Sequence, residues 1–275
     1  MSDPARALEV AIEAAQVGAK VTLGYFEALS AGDVTQKASA GGEAGGANLV
    51  TVADLESEKA IVACIQCHFP DHEFLGEEAH TAAANADHLW IIDPLDGTNN
   101  FAHGIAQFGV SVAYYQNGNP VCGAVINPAT GDLFSAAVGQ GAFRNGKRVS
   151  VNQHAALDQT IVCTGFYYDR GELMRSTLAA IEHLFGTGIH GIRRFGAASL
   201  DLCAVGAGQL GAYFEFTLSP WDFAAAAIFV HEAGGKVTDC RGNPLTLTKT
   251  SLLSTNRRLH PDMMDALESF IPGSS

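Results

Sequence analysis

Trp90-Ile91-Ile92-Asp93-Pro94-Leu95-Asp96-Gly97-Thr98-Asn99-Asn100-Phe101 is the stretch on which the reading of the chain turns. Its apolar start reads as a buried strand. The strand runs straight into two aspartates three residues apart, with Pro94 fixing the backbone between them and Gly97-Thr98 opening a helix pattern. Carboxylates on one tight turn repel each other unless a cation or a proton sits between them. Hard oxygen donors select magnesium, calcium or manganese over zinc, and a helix N-terminus beside them offers N–H groups to a phosphate. An ordinary Asp-capped turn would carry the same letters, so this stretch alone leaves both readings open.

Two further acidic groups stand at similar junctions. Gly76-Glu77-Glu78 ends the short strand pattern Glu73-Phe74-Leu75, where a solvated loop is the alternative. Trp221-Asp222-Phe223 opens a helix that continues Ala224-Ala225-Ala226-Ala227, where Asp222 could be no more than a favourable helix-start charge. Three acidic groups, each at a strand-to-loop or loop-to-helix junction, are harder to assign to separate accidents than any one of them.

The rest of the chain supplies a layered frame. Leu8, Ile12, Ala15, Ala19, Leu23 and Phe26 recur at helical spacing. The segment Ser30 to Asn48 is Gly-, Ala- and Ser-rich and reads as a loop, after which a helix is expected from Asp54 to about His68, ended by Pro70. Phe108 to Val151 reads as a strand meander, with turns at Asn117-Gly118, Asn127 to Gly131 and Asn145-Gly146. Beyond it, strands near Ile161, Ile192, Tyr213, Val237 and Leu252 alternate with helices near 173–185, 198–207, 221–233 and 261–270, a mixed α/β pattern.

Composition limits the function classes. A chain of 275 residues with 47% hydrophobic content can bury a large core, and 29 acids against 16 bases, a net charge of −13, argue against nucleic acid as the main ligand. Neither a signal segment nor a membrane span is read, so the expected location is cytoplasmic. Six scattered cysteines fit buried thiols, and Cys64-x-x-Cys67 falls mid-helix with no second pair to complete a zinc site.

Taken in order, G-E-E, W-I-I-D-P-L-D-G-T-x-N-F and W-D-x-A-A ending in Glu232-Ala233-Gly234-Gly235 resemble the inositol monophosphatase family. So do Asn48 to Asp54, similar to the family's D-x-V-T-x-x-D segment, and Gly191 to Ser199, similar to its G-x-R-R-x-G-S/A-A segment. The resemblance spans nearly the whole chain. It implies a single domain over 1–275, with lobes of about 1–155 and 156–275, folded as the layered αβαβα sandwich of the inositol monophosphatase and fructose-1,6-bisphosphatase type. A homodimer is also implied.

Residue by residue, the resemblance implies that Glu77, Asp93 and the Leu95 carbonyl hold one Mg²⁺ while Asp93, Asp96 and Asp222 hold a second. A third, looser ion shares Glu77, and Mn²⁺ is a substitute. Asp54 and Thr98, with Glu77, orient and activate the attacking water. Gly97 and Thr98 hold the phosphate beside Asp96 and Asp222, and Gly196, Ala197, Ala198 and Glu215 line the alcohol side. The implied reaction is hydrolysis of a myo-inositol monophosphate by direct in-line displacement, sensitive to lithium. Fructose bisphosphate, histidinol phosphate, NADP and adenosine bisphosphate are alternative substrates of the superfamily, and a regulatory binding role on the same fold is a different class of reading. Asn48 stands where the family commonly has an acid, Asn99 stands where Thr is commoner, and Lys37 is matched to the family's loop lysine across a lengthened loop.

Overall fold

Small side chains decide how the N-terminal helices pack. The computed structural model describes residues 4–29, 45–166 and 171–273. Helix α1 (Pro4–Ala28) buries Ala7, Val10, Ala11, Ala14, Ala15, Gly18 and Ala19. The expected stripe is thus shifted: Leu8, Ile12 and Leu23 lie half-buried along its margin, because close approach to α2 (Gly45–His68) leaves room only for small groups. A Cβ on Gly18 would come within 2.6 Å of Ile61. Helix α2 begins at Gly45, nine residues before its expected start, since Val50 and Ala53 extend the buried face against Leu95, Phe101 and Phe108. Most of the lengthened loop, Lys37 included, lies outside the described residues.

The first sheet runs in chain order. It comprises β1 (Glu73–Gly76), β2 (His88–Asp96), β3 (Gly109–Gln116), β4 (Asn119–Ile126), β5 (Leu133–Ala137), β6 (Gly141–Arg144) and β7 (Lys147–Val149), with the short helix α3 (Thr98–Ala102) between β2 and β3. Strands β1 and β2 are parallel and every later pair is antiparallel. Asn117-Gly118 and Asn145-Gly146 turn two of the hairpins with positive φ at both residues, the conformation that two-residue hairpins favour.

Alternation along β2 sets the layers. Trp90 and Ile92 pack into the cluster under α1 and α2, whereas Leu89 and Ile91 face the opposite side. There lie α5 (Ala198–Gly206) and α6 (Pro220–Glu232), and behind them the second sheet of β8 (Ile161–Thr164), β9 (Gly191–Arg193), β10 (Ala212–Leu218), β11 (Lys236–Thr238) and β12 (Thr250–Thr255), ordered β11-β12-β10-β8-β9. Its outer face carries α4 (Glu172–Gly186) and α7 (His260–Leu267). The result is the αβαβα sandwich. Because α6 sits between two sheets, it is apolar nearly all round, and its alanines let it rest on bare backbone: a Cβ on Gly123 would meet the Ala225 Cα at 2.7 Å.

Candidate active site

Register places the first two acids. Gly76 pairs with Ile92 on the parallel strands β1 and β2, so the next residue of each, Glu77 and Asp93, emerge side by side. Asp93 offsets part of the repulsion that raises Glu77, as a carboxyl neighbour within hydrogen-bonding reach would.

A break in the ladder places the third. Residues three apart on a regular strand point to opposite faces. Between Asp93, opposite Ser111, and Asp96, opposite Gly109, β2 has one residue more than β3. That bulge, with Pro94 inside it where no ladder N–H is needed, returns Asp96 to the side of Asp93. Asp93 Oδ1 accepts the Leu95 amide at 3.0 Å, and the Thr98 hydroxyl donates to the Leu95 carbonyl at 3.2 Å, closing the turn.

One cavity of about 430 Å³ collects Glu77, Asp93, Leu95, Asp96, Gly97, Thr98, Gly196, Ala197, Ala198, Glu215 and Asp222. Asp54 stands behind it on α2, 5% exposed, with its Oδ1 lacking any hydrogen-bond partner. Every predicted site residue except Asp54 therefore lines a single space. Asp222 satisfies both sequence readings: it accepts the Ser219 amide at 2.7 Å as part of the cap of α6, and it also faces the cavity.

The acids are held as reluctant anions. Burial, then Glu78, Glu77 and Glu58, raise Asp54 to about 8. Burial, then chiefly Glu78 and Asp96, raise Glu77 to about 7. Asp93 is pushed well above the usual carboxylate range by burial and by Glu77, Asp96, Asp222 and Asp54, and Asp222 by burial and Asp96. Such a set suits a hard divalent cation, since every donor is an oxygen and each acid is destabilised by its neighbours. Among the described residues, however, no three acids, histidines or cysteines converge closely enough to enclose an ion. Existing hydrogen bonds explain the spread: both Asp96 oxygens are engaged at the start of α5, by Ala198 N at 3.1 Å and by Ser199, while one Asp222 oxygen is held by Ser219. Asp96 Oδ2 takes two hydrogen bonds, from the Ser199 amide and hydroxyl, whereas Asp96 Oδ1 and Asp222 Oδ2 each accept one backbone amide.

Several participants carried no distinguishing signal in the sequence. Ser199 holds Asp96, the Tyr213 hydroxyl donates to the Glu215 carboxylate, and Ser57 on α2 donates to the Pro94 carbonyl at 3.1 Å. Glu215 is 7% exposed; burial raises it to about 7 against the pull of the Tyr213 hydrogen bond, with Asp96 raising and Arg194 lowering it further. Arg194 acts on Glu215 by electrostatic attraction. Arg194 and Lys249 bring positive charge to a cavity otherwise dominated by acids.

A model described as the inositol monophosphatase family matches residues 3–271. The chain is similar to phosphatase IMPL1, chloroplastic, of Arabidopsis thaliana, 37% identical over 272 residues, covering 96% of this chain and 70% of that protein. It is similar to Nus factor SuhB of Pseudomonas aeruginosa, 35% identical, covering 97% of each. Among solved structures, inositol monophosphatase from Anabaena (Nostoc) superposes with a TM-score of 0.83 at 36% identity over 97% of both chains.

Proposed function

The chain belongs to the inositol monophosphatase family and is a phosphatase of that magnesium-dependent superfamily, and from this premise we propose that it hydrolyses a myo-inositol monophosphate to inositol and phosphate. The observation that carries the proposal is the convergence of Glu77, Asp93, Asp96, Asp222 and Glu215 on one cavity, the last beyond the metal-type acids and buried.

In this reading Glu77, Asp93, the Leu95 carbonyl, Asp96 and Asp222 hold two or three Mg²⁺ ions, with Mn²⁺ as a substitute. When bound, the cations reverse the local negative charge, acidify water and neutralise the oxygen that leaves. Asp54, whose Oδ1 is an unfilled acceptor, takes a hydrogen bond from the attacking water. Thr98 spends its proton on the Leu95 carbonyl and so presents lone pairs to the same water. The Gly97 and Thr98 amides hold the phosphate. As the water oxygen bonds to phosphorus and releases one proton to solvent, the ester P–O bond breaks and the alcohol departs with a proton taken from solvent, with no phospho-enzyme. Gly196, Ala197 and Ala198 wall the alcohol side, where Glu215 accepts ring hydroxyls.

Ile105 and Phe195 are 51% and 41% exposed on loops joined by Asn100, which donates to the Gln107 and Phe195 carbonyls at 2.7 Å each. That apolar face supports a homodimer, testable by sedimentation. No helix among the described residues is long and apolar enough to cross a membrane, and we place the protein in the cytoplasm as a single domain of two lobes. A relative bearing the name Nus factor keeps open a regulatory partner for the same fold; the full acid set favours turnover here. The discriminating experiment is kcat/KM across inositol, fructose, histidinol, NADP and adenosine phosphate esters. A clear lead for inositol phosphate supports the proposal, and a lead for any other ester replaces its substrate.

A further inference from the structure

Glu58 is an acid that the chemistry described above does not use. It lies on α2, one turn beyond Asp54, and is 1% exposed. Its carboxylate sits inside the turn that follows β1. Oε2 accepts the Glu78 amide at 3.0 Å, and Oε1 accepts the Ala79 amide at 3.0 Å and faces His80 Nδ1 at 2.5 Å. The turn closes around it, with Gly76 N donating to the His80 carbonyl at 2.8 Å. Gly76 is small for the same reason, because a Cβ there would lie 2.4 Å from Glu58 Oε2.

Glu77 is the residue between Gly76 and Glu78, so on the loop side its backbone is anchored through this carboxylate and through the Gly76–His80 bond. Glu78 and Asp96 repel Glu77, and Glu58 adds to that repulsion, so backbone anchoring of the turn is what keeps Glu77 facing the cavity. Two backbone N–H groups and an imidazole N–H also satisfy Glu58, so burying its charge does not leave it unpaired.

We propose that Glu58, with His80, is a positioning residue that presets the Glu77 turn for cation binding. The inference rests on the reading of Glu77 as a cation ligand. In metal-free protein Glu58 already holds the turn, so the ion meets a half-built site; without it, Glu77 must be ordered at the expense of ion affinity.

The test uses Mn²⁺ alone as the probe, followed by electron paramagnetic resonance of the free ion in substrate-free protein, for Glu58→Gln, His80→Ala and, as control, Glu77→Gln. Circular dichroism monitors folding. The Glu58→Gln amide group meets backbone donors with a donor of its own, and Mn²⁺ affinity is expected to fall about tenfold, as for other groups that orient a ligand. His80→Ala, which removes one contact at the surface side and keeps the fold, shifts affinity in the same direction by roughly threefold. Hydrogen exchange at the Glu78 and Ala79 amides accelerates in metal-free Glu58→Gln, and saturating metal restores most of kcat, which general structural damage would not allow. If Glu77→Gln weakens Mn²⁺ while the folded Glu58 and His80 variants bind as wild type, the positioning role is overturned alone. If Glu77→Gln itself binds as wild type, the ligand assignment falls and the positioning role with it.

Discussion

Asp96 takes both the backbone amide of Ser199, at 2.7 Å, and its hydroxyl, at 2.6 Å, and so ties the end of β2 to the first turn of α5 across the cavity. Burial raises the Asp96 pKa, and the Ser199 bonds pull it back down. Ser199→Ala removes the hydroxyl and keeps the amide. A hydrogen bond to a charged group contributes roughly 1.5–3 kcal/mol, so the partial loss predicts about a tenfold fall in kcat/KM and a higher magnesium requirement. Steady-state kinetics across a magnesium titration measures both, and wild-type values would remove Ser199 from the site.

Asp93→Asn should bring phosphate release to background with the fold intact. Asp93 is 1% exposed and raised by burial and then by Glu77, Asp96, Asp222 and Asp54, so an amide relieves four repulsions and removes the carboxylate that the proposed cations would need. Metal-free Asp93→Asn is expected to melt higher than metal-free wild type. Thermal melts in chelator check this, and a lower melting point would show that the repulsion is relieved by other means.

Proton binding gives the metal-free protein a distinctive pH profile. Asp54 titrates near 8 and Glu77 near 7 in the folded state, both raised first by burial, against ordinary values of 3.8 and 4.5. Between those limits the folded chain holds protons that the unfolded chain has released. Stability from these groups is thus complete below about pH 4 and falls as pH rises toward about 7 to 8. Saturating Mg²⁺ replaces the protons and flattens the slope. Urea midpoints from pH 5 to 8, with chelator and with Mg²⁺, test this; a metal-free midpoint that rises with pH would contradict it.

Much of this was legible in the residues, and the exceptions share a cause. Asp93 and Asp96 were readable because a strand that ends in carboxylates is rare and locally encoded. Glu77 and Asp222 needed the family resemblance to join them, because the β1–β2 register and the cap of α6 bring them together across long sequence distances. Tyr213, Ser199 and Glu58 were invisible as site residues, since each acts through a partner that only the packed sheets supply. The start of α2 was misjudged because its glycines and alanines look like a loop, while Val50 and Ala53 gain their helical preference from burial against Phe101 and Phe108.

Specificity should reside in the Tyr213–Glu215 pair. Glu215→Gln keeps one carbonyl acceptor, so inositol phosphate turnover is expected to drop about tenfold while a simple phosphate ester without ring hydroxyls is spared. Tyr213→Phe frees the Glu215 carboxylate and should shift the same preference more weakly. Gly165→Ala should do so strongly, because its Cβ would overlap Glu215 Oε2. Parallel kcat/KM values for both esters decide the matter, and an equal loss on each would place Glu215 in the metal centre or the fold instead.

The carboxylate cavity should work only with a cation in it. Protein stripped with chelator and dialysed should release no phosphate from myo-inositol 1-phosphate, regain turnover on addition of Mg²⁺, and lose it again to millimolar Li⁺. Undiminished phosphate release from the stripped protein in chelator would contradict the assignment of Glu77, Asp93, Asp96 and Asp222 as a metal-dependent phosphatase centre.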